Sequence, residues 1–530
     1  MKILVSDKLA QEGLDILQAN KEFKVDCKYD MTPDQLKKVI KDYDALIVRS
    51  GTQVTADIIE ASDKLRVIGR AGVGMDNVDL KAATKKGIVA MNTPAGNTTS
   101  TAEHTFSMIL ALSRNIPQAY ASMKAGRWDR AKFSGVELHG KTLGVIGLGR
   151  IGSTVAKFAG AFGMHVLACD PYLSREVAEQ KGVKLAEFKD ILKKADYISV
   201  HIPKSSETKG MIGEKEFGMM KKTVRLINCA RGGIVDEAAL AKALEQKKIA
   251  GCALDVFDNE PLDPASPLLK LDNCVVTPHL GASTSEAQVN VAIEIAHTVS
   301  NALLGKGIVN AANFPSVDAE TYKALEPYNG LGIRLGQFSG QLVHGRISKV
   351  KVTYSGEITK HKVAPVTMSL VSGLLSPFVG EGINFLNALD VAKERGIQVE
   401  EIISNTGEEF VNCIKIEVVT DKDPFMIMGT LSANKKPRIV KINKVYVEAV
   451  PDGFMLFINN RDKPGLVGVI GTVLAQSKVN IAGISLGREG MDGKAISVVN
   501  VDGEVPAEAI QKLMANKDVL YVKLLNVHVS

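Results

Sequence analysis

From Met1 to about Thr98 the chain alternates short apolar runs with stretches of helical periodicity. Ile3–Ser6, Ala45–Arg49, Val67–Gly69 and Val89–Asn92 read as strands, and Leu9–Gln18 and Thr55–Ala61 as helices. This βα alternation predicts a parallel sheet with helices on its faces. Thr99–Arg114 is a long apolar helix leading into a second region of the same kind. There Leu143–Ile146, His165–Cys169, Tyr197–His201, Arg225–Asn228, Gly251–Asp255 and Cys274–Thr277 read as buried strands. Glu286–Leu304 is another long helix, and Val309–Asn313 reads as one last strand. A long helix returning from a central region predicts that the chain re-enters the first domain, with a cleft between two lobes.

Beyond Asn313 the character changes. Phe314-Pro315 reads as a linker, Tyr328–Val343 as a helix and Ile347–Tyr354 as a strand. Strands Lys444–Val450 and Phe454–Asn459 are joined by Pro451-Asp452-Gly453, a turn set by fixed φ, a local acceptor and a free φ. From residue 454 the order is strand, helix (Leu466–Ala475), strand (Asn480–Gly487), strand (Ala495–Val501), helix (Pro506–Met514), strand (Val519–Val527). That βαββαβ order predicts the split ferredoxin-like unit.

Composition narrows the classes. Lys plus Arg is 65 and Asp plus Glu 59, a net charge of +6 over 530 residues. With no basic tract interleaved with aromatics, this argues against a nucleic-acid partner. No apolar stretch is long enough to span a bilayer, and none reads as a signal peptide, so no membrane partner is expected. None of the six cysteines forms a CxxC pair, which predicts a reducing, cytoplasmic setting with neither disulfide framework nor metal site.

The chemistry starts at Gly147-x-Gly149-x-x-Gly152, which follows the strand Leu143–Ile146 and opens a helix at Ser153–Phe162. The first glycine permits a tight turn, the second a close approach to a pyrophosphate, the third close helix packing. The phosphates meet the positive end of the helix. Asp170 ends the next strand, where it can bind the adenosine ribose. No arginine stands beside it for a 2′-phosphate, which favours NAD over NADP. Three further residues follow strands at the carboxyl edge of the sheet, where open α/β sheets bind ligands: Arg231, Glu260 and His279. They suit oxidation of a 2-hydroxy acid. Histidine takes the hydroxyl proton, a carboxylate orients and stabilises the imidazolium, and an arginine fork holds the substrate carboxylate.

The segments Arg70–Asp79, Gly147–Gly152, Asn228–Glu237, Leu254–Pro261 and Pro278–Thr284 resemble the D-isomer-specific 2-hydroxyacid dehydrogenases. The tail resembles the family's long branch, with an intervening domain and a C-terminal ACT domain that includes Asn459–Gly465 and Val479–Ile481. The fold class so expected is α/β. A Rossmann-type NAD-binding domain (99–286) joins a discontinuous flavodoxin-like substrate domain (1–98 and 287–313). An α+β intervening domain (316–450) and a βαββαβ ACT domain (454–530) follow.

The resemblance implies Arg231, Glu260 and His279 as catalytic residues. It implies cofactor contacts from Gly147, Gly149, Arg150, Ile151, Gly152, Asp170, Cys229, Ala230, Arg231, Asp255, His279, Leu280, Gly281 and Ala282. Arg49 and Arg70, with Arg231 and His279, would meet a phosphorylated hydroxy acid. Asn460, Asp462 and Asn480 would bind L-serine as an effector between paired ACT domains in a homo-oligomer, a tetramer by analogy. Relatives carry His or Tyr at position 460, so Asn460 departs from that pattern. A dehydrogenase for another D-2-hydroxy acid, such as 2-hydroxyglutarate, and a dinucleotide-sensing regulator without turnover remain open alternatives.

Overall fold

The computed structural model describes residues 1–404, 410, 412–490 and 493–528. The chain divides into two compact units: Met1–Lys8, Leu14–Asn92 and Ile295–Ser530 in the first, Leu9–Gly13 and Thr93–Glu294 in the second.

The first unit opens with five parallel strands in the spatial order Lys24–Cys27, Lys2–Val5, Ala45–Val48, Val67–Arg70, Val89–Met91. The sequential order 2-1-3-4-5 is flavodoxin-like. Leu4, Leu46, Val48 and Ile68 are fully buried under the helices Pro33–Val39, Ala56–Glu60 and Leu80–Lys86. The runs read from the sequence omit Lys24–Cys27. It is an edge strand with no fully buried residue, so its Lys-Val-Asp-Cys pattern carries no apolar run. Val309–Asn313 does not form the expected strand. Asn310 takes φ 57°, which interrupts extended backbone, and an isolated Met91–Ala311 bridge forms instead.

The same unit carries a six-stranded mixed sheet ordered Gln398–Ser404, Ile347–Ser355, Cys413–Thr420, Phe425–Leu431, Pro437–Ile442, Val445–Ala449. Its first pair is parallel and the rest antiparallel. The helix expected over Tyr328–Val343 starts earlier and spans Ala319–Leu342, because Asp318 caps it by accepting from the Thr321 amide at 2.8 Å. It packs on the helix Ala364–Val379 along a row of glycines. A Cβ on Gly336 would lie 2.1 Å from the Leu370 carbonyl oxygen, and one on Gly340 2.2 Å from that of Leu374. The two backbones touch, so only glycine fits there.

The C-terminal sheet is antiparallel, in the order Ile481–Arg488, Lys494–Val501, Gly453–Arg461, Val519–Val527. Helices Leu466–Gln476 and Ala507–Met514 cover one face through Leu466, Ile470, Leu474 and Leu513. This is the expected βαββαβ unit.

The second unit is built on seven parallel strands ordered Cys274–Val276, Gly251–Leu254, Arg225–Asn228, Tyr197–Val200, Thr142–Ile146, His165–Cys169, Lys184–Leu185. Chain order reverses between Thr142–Ile146 and Tyr197–Val200, which makes that junction the topological switch point of a Rossmann sheet. Apolar cores on both faces match its near-continuous hydrophobic strands. Among the described residues no helix is long and apolar enough to cross a membrane.

Gly336→Ala should destabilise the helix pair by about 1–3 kcal/mol, the usual cost of overpacking a close contact. Chemical denaturation followed by circular dichroism measures it. An unchanged midpoint would show that the two backbones do not touch.

Candidate active site

The glycine loop sits at the switch point, and each glycine meets a different constraint. Gly147 has φ 91°, and a Cβ there would lie 2.7 Å from the His201 carbonyl oxygen and from Ile202. A Cβ on Gly152 would lie 2.1 Å from the Gly147 carbonyl oxygen. Gly149 faces open space, with nothing within 4 Å of such a Cβ, and caps the helix Arg150–Ala161. The first and third glycines shape the loop, and the second leaves room where an anionic group would meet the helix N-terminus. The loop therefore fits a dinucleotide pyrophosphate. Arg150 is exposed and Ile151 half-buried beside it. The Asp170 carboxylate accepts from the Leu148 amide at 2.8 Å and the Tyr172 amide at 2.9 Å, so it is fixed against the loop.

The loop after strand Arg225–Asn228 carries Arg231. Asn228 shapes it, accepting from the Ala230 amide at 3.0 Å and donating to the Arg231 carbonyl at 2.9 Å. Arg231 is half-buried and donates from Nη1 to the Ala230 carbonyl at 2.7 Å. Gly232 admits no side chain, since a Cβ would lie 1.8 Å from the Phe257 carbonyl oxygen. This approach brings the arginine loop against the loop carrying Glu260. Cys229 is buried, and burial pushes its thiol up to about 12, so it is neutral and unreactive at physiological pH.

His279 and Glu260 are in hydrogen-bond contact, with Nδ1 2.7 Å from Oε2. The other Glu260 oxygen accepts from the Phe257 amide at 3.0 Å. His279 adopts φ 56°, a conformation disfavoured for a side-chain-bearing residue. The turn that imposes it is held by Asp255, which has no exposed surface. Its Oδ1 accepts from Thr277 Oγ1 at 2.6 Å and the Leu280 amide at 2.7 Å, and its Oδ2 from the Gly281 amide at 2.8 Å. His104 Nε2 lies 3.2 Å from Oδ1. Burial opposes ionisation of Asp255, but the bonds from His104, Thr277 and Leu280 outweigh it and hold the carboxyl below the usual carboxylate range. Both carboxylate oxygens are thus engaged within the protein, and Asp255 acts through the turn. Leu280 is exposed, Ala282 half-buried and Gly281 buried. An apolar cavity of about 670 Å³ adjoins the pair, walled by Phe257, Pro261, Leu262, Leu269 and Val276. Sequence reasoning missed His104 and Thr277. Their only trace is a polar residue in the apolar helix Thr98–Arg114 and a hydroxyl at a strand end.

In the first unit, Arg49 follows the strand Ala45–Val48 and Arg70 ends the neighbouring strand Val67–Arg70, and both are half-buried. Arg49 Nη1 donates to the Lys8 carbonyl at 3.1 Å. Of the three effector candidates, Asn460 is the most buried. Strand alternation puts it on the helix-covered face with Leu456 and Ile458, where it is 3% exposed. Its amide donates to the Arg461 carbonyl at 2.9 Å and accepts from Ser497 Oγ at 3.1 Å, so the side chain is engaged within the sheet. Asp462 lies 3.5 Å from Arg488, and Asn480 donates to Asp502 at 2.6 Å.

A Rossmann sheet with a glycine loop at its switch point defines the dinucleotide-binding class, and residues 106–281 match the family described as D-isomer specific 2-hydroxyacid dehydrogenase, NAD binding domain. Residues 324–443 match the D-3-phosphoglycerate dehydrogenase intervening domain, and residues 454–518 the ACT domain. The chain is 43% identical over 528 residues to D-3-phosphoglycerate dehydrogenase of Methanocaldococcus jannaschii, covering 99% of this chain and 100% of the relative. It is 40% identical over 525 residues to that of Bacillus subtilis, covering 99% of each. It therefore belongs to the D-3-phosphoglycerate dehydrogenase family, as an NAD-dependent oxidoreductase. Among solved structures it is similar to the Aquifex aeolicus D-lactate dehydrogenase complexed with NAD and lactic acid. That similarity has a TM-score of 0.53 and 30% identity over 60% of this chain and 100% of that one.

Asp255→Asn should cost about 1–3 kcal/mol, because a carboxamide nitrogen then faces donors at a fully buried position. It should also lower kcat by disordering the His279 turn. The wild-type carboxyl is depressed on folding, so its stabilisation is present above the unfolded value of about 3.9 and lost as pH falls through the lower folded value. Acid denaturation of the variant should lack that component. Equal acid profiles and kcat would show that Asp255 does not hold the turn.

Proposed function

We propose that the chain oxidises D-3-phosphoglycerate to 3-phosphohydroxypyruvate with NAD⁺, the step that commits this carbon skeleton to serine. The observation that carries this reading is the 2.7 Å His279–Glu260 contact, which follows strand ends of the sheet that holds the glycine loop. Glu260 accepts from Nδ1–H and so fixes the tautomer in which Nε2 is the base. Nε2 takes the substrate hydroxyl proton as C2 loses hydride, and the imidazolium formed is stabilised by the Glu260 carboxylate. Arg231 holds the substrate carboxylate through its fork. NAD⁺, when bound, accepts the hydride. Gly147, Gly149, Arg150, Ile151 and Gly152 would hold its pyrophosphate and Asp170 its adenosine ribose, with Cys229, Ala230 and Leu280–Ala282 bordering the reactive end. Arg49 and Arg70 would take the substrate phosphate.

Turnover of D-3-phosphoglycerate with NAD⁺ tests the substrate, with D-2-hydroxyglutarate as the competing candidate. Preference for the latter, or turnover of neither, would overturn the reading. His279→Ala should cut kcat by roughly two to four decades while NAD binding persists. Near-normal turnover would remove His279 from the chemistry.

The ACT domain supports binding of a small-molecule effector. We read that effector as L-serine, held between the ACT domains of two copies in a homotetramer, with Asp462 accepting from its ammonium and Asn480 donating and accepting. The free thiols suit the cytoplasm. Serine should inhibit, since an effector must favour one state to shift anything. Asp462→Ala should abolish inhibition and leave turnover intact. Calorimetry on the whole chain with serine decides it, and the absence of both heat and inhibition at millimolar serine would exclude the assignment.

A further inference from the structure

The loop Arg49-Ser50-Gly51-Thr52 is clamped at both ends by two side chains distant in sequence. The Asp7 carboxylate takes the amide side. Its Oδ2 accepts from the Arg49 amide at 2.6 Å and the Thr52 amide at 3.1 Å. Its Oδ1 accepts from Thr52 Oγ1 at 2.8 Å. That hydroxyl has one proton and gives it to Asp7, so the Ser6 hydroxyl, 2.9 Å away, must donate to Thr52. Asn77 takes the carbonyl side. It is 7% exposed, and Nδ2 donates both its protons, to the Arg49 and Thr52 carbonyls, at 2.7 Å each. All four main-chain groups of the two end residues are therefore held by two side chains. Gly51 lets the loop come this near, since a Cβ there would lie 2.9 Å from Asp7 Oδ1. Asn77 is itself anchored, because its carbonyl accepts from the Val54 amide at 2.8 Å.

We infer that Asp7 and Asn77 are positioning residues for recognition of the substrate phosphate, acting through Arg49. This rests on the reading of Arg49 as a phosphate contact. A guanidinium on an unbraced loop must be ordered at binding, which weakens each contact it makes; a braced loop has met that cost on folding. The clamp also disposes of a charge problem. A carboxylate near a dianion repels it, but Asp7 spends its lone pairs on three donors of the loop itself. Arg49 is oriented as well as placed, since Nη1 is committed to the Lys8 carbonyl and its remaining donors can turn to a ligand.

Steady-state kinetics of Arg49→Ala, Asp7→Asn, Asn77→Ala and the double variant Arg49→Ala/Asp7→Asn test this in the whole enzyme. Asp7→Asn and Asn77→Ala should each raise KM for D-3-phosphoglycerate roughly tenfold, the scale of one charge-assisted hydrogen bond. KM for NAD and kcat should stay within about twofold, and the thermal midpoint should identify any variant that fails to fold. In the Arg49→Ala background the Asp7→Asn effect should vanish, since there is no longer a guanidinium to place. A merely structural Asp7 would give additive losses, and lower kcat and NAD affinity together. Additivity, or an Asp7→Asn enzyme with unchanged phosphoglycerate KM beside a defective Arg49→Ala, would overturn the inference. An Arg49→Ala enzyme with normal phosphoglycerate KM would instead overturn the underlying assignment of Arg49.

Discussion

The buried carboxylate of Asp255 is the constraint on which the candidate site depends. Removing a carboxylate from water is costly unless hydrogen bonds replace hydration, and this one is supplied by a hydroxyl and two amides, with His104 alongside. The same bonds fix the path of residues 277–281. His279 sits inside that path at a positive φ, which costs of order 1–2 kcal/mol for a residue with a Cβ. The bonds to Asp255 on either side of it offset that strain. Glu260 then meets an imidazole whose backbone cannot turn away, and the 2.7 Å contact follows from the turn. Asp255 itself is carried by the sheet, its amide donating to the Asn228 carbonyl at 3.0 Å, and Asn228 in turn shapes the Arg231 loop. Position and charge at this edge are one connected problem.

The first unit solves a similar problem with the same means. Asp7 and Asn77 hold an arginine loop as Asp255 holds a histidine turn: side-chain acceptors and donors replace the main-chain partners that a loop lacks. Within the same unit the intervening region meets the helices of the five-stranded sheet in kindred fashion. Asn384 and Asn387 each donate to the Lys85 carbonyl, at 3.0 and 3.3 Å, at the C-terminal end of helix Leu80–Lys86. Asp79 caps the other end of that helix, accepting from the Ala82 amide at 2.9 Å, two residues after Asn77. One short helix thus joins the intervening region's asparagine turn to the segment that braces Arg49.

Much of this was legible in the sequence, for physical reasons that differ by element. Strands buried on both faces are apolar at every position, so Leu143–Ile146 or Ala45–Val48 announce themselves. The glycine fingerprint is legible because a close approach admits no other residue, as Gly147 and Gly152 bear out. Edge strands obey no such rule, and Lys24–Cys27 passed unnoticed. Capping also hides in sequence: Asp318 extends the long helix past the start that periodicity marked. The clamps were illegible for a deeper reason. Asp7 and Asn77 are ordinary polar residues until the fold brings both to one loop, and a pairing across seventy positions leaves no local pattern.

Asn460 shows the converse, a residue whose motif position was legible and whose environment was not. The motif places it beside Asp462 and Asn480, yet position alone does not say which way a strand residue points. Period two does: with Leu456 and Ile458 buried under the helices, residue 460 must share their face. On that face its amide oxygen accepts from the Ser497 hydroxyl of the neighbouring strand. An asparagine there bonds within the sheet, whereas Asp462, the first residue after the strand, is half-exposed beside Arg488. The loop's carboxylate and the strand behind it thus stand in different surroundings, the one half-exposed and the other buried.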